Sequence, residues 1–286
     1  MSVRHFDSLP KPYKAYGKVI LSLISKPKFK EKKLPQAEYI VDRLNINEKH
    51  LKAYNDICTF KNDGTVPAMY LAVQAQALQM SMMTEEPFPF PLLGLVHIRN
   101  VVRQTRKIQA SQVLSLSCKF GELRQHDKGL EFDFITAASV NGEEVYSGVT
   151  TYLARQKVDT SAAKTTKPAE VCKPEYQQKE DWNIPENIGR RYAAISGDVN
   201  LIHIHELTAK AFGFKRAIAH GMWTKARSLA ALGELPAAYE ACVQFKLPVF
   251  IPAQVTFSSQ KGATTYFELC DSNTSKPHLS GQVNSL

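Results

Sequence analysis

Arg190 to Thr224 reads RRYAAISGDVNLIHIHELTAKAFGFKRAIAHGMWT, and the placement of its polar residues decides how the rest of the chain is read. Ser196-Gly197-Asp198 has turn composition, Asn200 can bond back to local backbone, and Glu206 to Phe212 reads as a short helix. Asp198 and His203 fall in irregular structure beside that helix, five positions apart, where their side chains can converge on one small molecule. A longer apolar helix opens at His220-Gly221 and runs to Leu235. The first N–H groups of a helix have no intrahelical partner, so this end can stabilise a developing oxyanion.

A carboxylate, an imidazole and an oxyanion-binding helix end thus lie within twenty-four residues. They are the parts needed for chemistry beside a thioester carbonyl. Hydration of a conjugated enoyl thioester needs a base for water, an acid for the α-carbon and hydrogen bonds to an enolate-like oxygen.

Working outward, the chain falls into two similar parts. Residues 156–176, QKVDTSAAKTTKPAEVCKPEY, lose all apolar periodicity and read as a linker between halves 35–155 and 177–286. In the first half, Pro67 to Met83 forms a helix apolar on nearly every face, with Gln74, Gln76 and Gln79 as its sizeable polar interruptions. Strand-like runs follow at GLVHIRNVVRQ, SQVLSLSCKFGEL, GLEFDFITAASV and EEVYSGVTTYLARQ, the last two joined by the hairpin signature Asn141-Gly142. The second half repeats the order after its helix, with YEACVQFKLPVFI, AQVTFSSQ, TTYFELCDS and PHLSGQVNS. Phe60-Lys61 and Phe214-Lys215 lie 154 residues apart, and Pro67 and His220 lie 153 apart, as in an internal duplication. Each copy is expected to be an antiparallel sheet wrapped around its helix, an α+β architecture.

SGDVNLIH, then Gly213-Phe214, then His220-Gly221-Met222, strongly resemble the signature of the MaoC-like dehydratases and (R)-specific enoyl-CoA hydratases. The resemblance implies a double hot-dog fold, with Asp198 and His203 as the acid/base pair and the Gly221 N–H as oxyanion donor. Ser196, Asn200 and His220 would line the substrate site. Two positions depart from the pattern: Leu201 replaces the usual proline, and His205 an acidic residue. VPAMYLAVQAQALQMSMM and FPFPLLGLVHIRN also resemble double-hot-dog members, but an offset of 154 sets Leu44 and Lys49 opposite the dyad, so the N-terminal half is expected to be catalytically degenerate. The resemblance implies that this half holds the acyl chain. Ala68, Ala72 and Ala75 share one helix face that either packs closely against the sheet or lines the chamber. His97, in a strand-like run, is expected to be structural.

The implied substrate is an acyl-CoA or acyl-carrier-protein thioester of fatty-acid metabolism, interconverted between (R)-3-hydroxyacyl and trans-2-enoyl forms. A thioesterase on the same fold and a non-catalytic thioester-binding protein stay open, and so does a homodimer. No cofactor is expected. His203, His205 and His220 raise a metal site, but no recognised ligand spacing accompanies them, so none is expected.

The net charge is +9, and residues 1–34 supply +7 of it, with nine Lys and Arg against Asp7 and Glu31. No nucleic-acid recognition motif surrounds this run, so nucleic acid is excluded as partner. A solvated, partly helical arm and a patch attracting an acidic acyl carrier or coenzyme A phosphates are the two readings of it. Five widely spaced cysteines without a Cys-x-x-Cys pair suggest free thiols in the cytoplasm, and no stretch is long and apolar enough to span a membrane.

Overall fold

The computed structural model describes residues 2–11, 32–92, 94–156 and 175–286. The middle of the basic arm and most of the expected linker lie outside the described residues.

The first half contains β1 (Ser2–Phe6), β2 (Ala37–Asn45), α1 (Glu48–Cys58), α2 (Ala68–Glu85), β3 (Leu95–Gln104), β4 (Val113–His126), β5 (Gly129–Val140) and β6 (Glu143–Arg155). The second contains β7 (Gln178–Ile184), α3 (Ile188–Ser196), α4 (Leu201–Ile204), α5 (Glu206–Ala211), α6 (Gly221–Ala231), β8 (Tyr239–Phe245), β9 (Ala253–Gln260), β10 (Thr264–Asp271) and β11 (Pro277–Ser285). Asn141 and Gly142 both adopt positive φ, as a tight hairpin between β5 and β6 requires. Thirteen of the eighteen residues of α2 are buried, which is why it has no polar face: the sheet of its own half surrounds it.

Among the described residues, all strands join one eleven-stranded sheet ordered β1-β2-β4-β5-β6-β3-β8-β11-β10-β9-β7. Reading outward from the central β3–β8 pair, β6, β5, β4 and β2 on one side match β11, β10, β9 and β7 on the other. The duplication is therefore present in the topology, and the chain is a double hot-dog. The seam is antiparallel, from Arg99 opposite Gln244 to Gln104 opposite Tyr239. One edge departs from the expected antiparallel pattern: Ser2 to Phe6 pair in parallel with Ala37 to Val41. The described start of the arm is therefore a strand rather than a solvated helix. Arg4 fastens it, stacking over Phe6 and pairing with Glu85 of α2.

The two halves do not keep one offset. Helices α2 and α6 start 153 residues apart, but α1 and α3 end only 138 apart, at Cys58 and Ser196. Both end in a left-handed residue, Thr59 at φ 63° and Gly197 at φ 75°. This sets Phe60, not Leu44, opposite Asp198. Nothing in the first half corresponds to α4 and α5, so His203 has no counterpart there and Lys49 is not one. The degenerate half lacks the segment itself.

Candidate active site

The site forms where three short pieces of the second half meet α2 of the first. Gly197 ends α3 in the left-handed conformation, which turns the chain so that Asp198 faces inward. The Ser196 hydroxyl accepts from the Asp198 N–H at 3.2 Å, and Asp198 Oδ1 accepts from the Asn200 N–H at 3.2 Å. Asn200 then caps α4 through the Ile202 N–H. Ser196 and Asn200 both shape the loop that carries the carboxylate.

His203 lies in α4 rather than in irregular structure. Leu201 is the first residue of that helix, a position where proline is favoured because its missing N–H costs nothing. Leucine adopts the same helical backbone, so this departure leaves the loop intact. His205 is exposed, and its Nδ1 accepts from the Leu207 N–H at 3.1 Å to cap α5. It takes no part in the cluster.

His203 is buried and its Nδ1 lies 2.8 Å from the Ile218 carbonyl, an acceptor, so Nδ1 carries the proton and Nε2 is left as a bare acceptor. Its ring stacks on His220 with centroids 3.7 Å apart. His220 Nε2 in turn donates to the Asp198 carbonyl at 3.0 Å. Burial pushes the His203 pKa below its usual value, and the Asp198 charge offsets this in part. Burial and the neighbouring His203 push His220 down to about 3. Both rings are therefore neutral near pH 7.

Ligand atoms of Asp198, His203 and His220 all lie within 4.8 Å of one another, the one such metal-like grouping among the described residues. It differs from the His203, His205 and His220 set that the sequence raised. Nδ1 of His203 and Nε2 of His220 each donate to a backbone carbonyl, which leaves one acceptor nitrogen on each ring beside the Asp198 carboxylate.

The sign of the pH effect on stability follows from these shifts. Unfolded histidines protonate near pH 6.5, whereas His203 and His220 resist protonation in the fold. The stabilisation is fully present above pH 6.5 and is lost as pH falls toward the folded values. Each neutral ring contributes about 1.4 kcal/mol per pH unit in that window. The urea midpoint should therefore drop between pH 7 and 5, above the range where most carboxylates titrate. A flat midpoint would show that these rings are not held neutral.

Gly221 opens α6, and the His220 side chain does not cap the helix. A Cβ at Gly221 would lie 3.1 Å from the Phe245 ring, so glycine lets that ring close over the helix end. Phe245 packs on His97, which packs on Tyr152, and this row leads into the first half. His97 Nε2 donates to the Arg99 carbonyl, and burial pushes its pKa to about 3.

Three contributions were missed in the sequence. Gln76 of α2 donates from Nε2 to Asp198 Oδ2 at 2.9 Å, across 122 residues of chain. Lys225, fully buried one turn into α6, donates to the Asn100 carbonyl and Oδ1 and to the Ala241 carbonyl, pinning α6 to both sides of the seam. Gly189 lets α3 pass against the backbone of His203. The glutamines interrupting an apolar helix were a visible signal; Lys225 and Gly189 had none.

Ala72 lies one turn before Gln76 on α2. Ala68, Ala72 and Ala75 are 0, 6 and 0% exposed and belong to the packed core, while Gln76 and Met80, four apart on α2, remain partly open.

Residues 152–281 match the family model described as MaoC like domain. The 3-hydroxyacyl-thioester dehydratase X of Mycobacterium tuberculosis is 33% identical over 257 residues, covering 88% of this chain and 91% of its own. This chain belongs to the MaoC-like dehydratase family. Among solved structures, HtdX of Mycobacterium tuberculosis superimposes on this MaoC-like protein with a TM-score of 0.76 at 30% identity, over 87% of this chain and all of HtdX. A MaoC-like dehydratase from Phytophthora capsici, 19% identical, shares the fold with a TM-score of 0.70 over 89% of this chain and 98% of its own.

Proposed function

We propose that this MaoC-like protein is a hydro-lyase that interconverts (R)-3-hydroxyacyl and trans-2-enoyl thioesters, with Asp198 and His203 as its acid/base pair. The observation that supports this most is the bare Nε2 of His203 beside the acceptor-only carboxylate of Asp198, next to the opening of α6. Two acceptors so placed can hold both hydrogens of one water. In hydration, oxygen of that water bonds to the β-carbon, its proton passes to the pair, and a proton returns to the α-carbon. The Gly221 N–H stabilises the enolate-like oxygen between these events. Asn200 and His220 border the thioester, and Ser196 holds the loop.

Incubation with crotonyl-CoA and a longer enoyl-CoA, following loss of the conjugated double bond, tests the reading. Release of free thiol without hydration would make the protein a thioesterase, and binding without turnover a thioester sensor. The same assay with enoyl carrier-protein substrates distinguishes the carrier. The basic segment Arg4 to Lys33 is proposed to favour an acidic carrier, and its contribution should then weaken with salt. A cytoplasmic location fits the described cysteines, Cys58, Cys118, Cys242 and Cys270, none of which forms a disulfide, and no described helix is long and apolar enough to cross a membrane.

The acyl chain is proposed to enter the first half over the open face of α2, past Met80 and Tyr152, rather than over Ala72. Met80→Trp should then spare a four-carbon enoyl thioester while losing most activity on one of about sixteen carbons, since each excluded methylene forfeits about 0.8 kcal/mol. Ala72→Phe should instead overpack the core, lowering stability by roughly 1 to 3 kcal/mol and activity on both substrates together. Chain-length selectivity from Ala72→Phe but not from Met80→Trp would return the chamber to the alanine face.

A further inference from the structure

The carboxylate of Asp198 is held from both halves. Its Oδ1 accepts from the Asn200 N–H within its own loop, and its Oδ2 accepts from Gln76 Nε2 of the first half. A carboxylate with a donor on each oxygen is fixed in rotamer and favoured in its ionised form, because that form is the stronger acceptor at both. Gln76 can serve only through its amide N–H₂ here, and it sits on a helix whose other faces are locked in the core. Further bonds hold the two halves in register around this contact. His50 of α1 donates to the Ile195 carbonyl at 2.8 Å, and the Trp223 indole donates to the Ile57 carbonyl at 3.0 Å.

We infer that Gln76 is a positioning residue for catalysis, supplied by the half that lacks the dyad, which keeps Asp198 ionised and aimed. The inference rests on the assignment of Asp198 to the acid/base pair. It gives the first half a part in the chemistry that is separate from holding an acyl chain, and it makes the second half incomplete without it.

Other titratable groups face Asp198. They are His203 on α4, His220 at the start of α6, His97 on β3, Tyr152 on β6 and Tyr192 on α3. Burial raises both tyrosines and lowers all three histidines, so each of the five is neutral across pH 6.5 to 8. Below that window His203 takes a proton as well, so a change in the acid limb of the rate profile on altering Gln76 reports on Asp198 and His203 as a linked pair.

The test is hydration of crotonyl-CoA by the full chain across pH 5 to 9, with unfolding midpoints measured beside it. Gln76→Leu should lower kcat about tenfold or more, as expected for losing a hydrogen bond to a charged group, with KM changed little and the acid limb moved to higher pH. Gln76→Glu keeps the shape but sets two carboxylates together. Its activity should be poorest at high pH and recover toward acid, where the introduced carboxyl carries a proton and can donate to Asp198 again. Wild-type kcat and pH profile in a folded Gln76→Leu protein would overturn the inference. So would equal losses in both variants with unmoved pH profiles, since a purely structural role predicts that. Asp198→Asn run in parallel separates the two layers: if it retains turnover, the acid/base assignment has failed rather than this inference alone.

Discussion

Asp198→Asn and His203→Ala are each expected to lower kcat by about a hundredfold or more, the scale of losing a general acid or base. The first change keeps the side chain's shape. It removes the charge, and it leaves one acceptor oxygen to satisfy two donors, Gln76 Nε2 and the Asn200 N–H. The second removes the bare Nε2 and leaves the Ile218 carbonyl without its donor. Because both groups would act on the same water, the double variant should be little worse than either single one. Additive losses would mean that the two residues work in separate steps. Near-normal turnover in either single variant, with an unchanged unfolding midpoint, would remove the pair from the mechanism.

What could be read in the sequence was whatever local pattern determines. The strands from Leu95 to Arg155 and from Tyr239 to Ser285 show alternation or β-branched runs punctuated by turns, and the structure has them within a few residues of the expected bounds, except that β8 ends at Phe245 rather than at Ile251. The elements that were missed have weak patterns for physical reasons. Strand β7, QKEDWNI, is an edge strand with five of seven residues exposed, so it shows little alternation. Helix α3 has a glycine near its start and two arginines beside it, which hide its buried face. The signature around Asp198 and His203 was legible because its members are close in sequence. Gln76 and Lys225 were not, because Asp198, the partner of Gln76, and Asn100, a partner of Lys225, lie more than a hundred residues from them and only the closed double sheet brings them together. The uniform offset failed for the same kind of reason. A duplication keeps its sheet topology while one copy gains or loses a loop, and here that loop carries α4 and α5.

Gly189→Ala should be as damaging as loss of the dyad, although it touches neither side chain. By helix propensity alone the change ought to help, since alanine is favoured over glycine in a helix by about 1 kcal/mol. The tertiary fold reverses this. A Cβ on Gly189 would lie 1.9 Å from the carbonyl oxygen of His203 and 3.0 Å from its carbonyl carbon. These are backbone atoms, so no rotamer change relieves the contact and α4 itself must move away from α3. A shift of about 1 Å in the group that holds a reacting water can cost about a hundredfold in rate. The expected result is turnover reduced on that scale, together with stability lowered toward or beyond the upper end of the roughly 1 to 3 kcal/mol typical of overpacking. Gly262→Ala supplies the control, because a Cβ there meets nothing nearer than 3.5 Å and should change stability by no more than about 0.5 kcal/mol. If Gly189→Ala proved as harmless as that control, the close approach of α3 to α4 would not be what sets His203, and its position would have to be attributed to the Ile218 bond and the His220 stack alone.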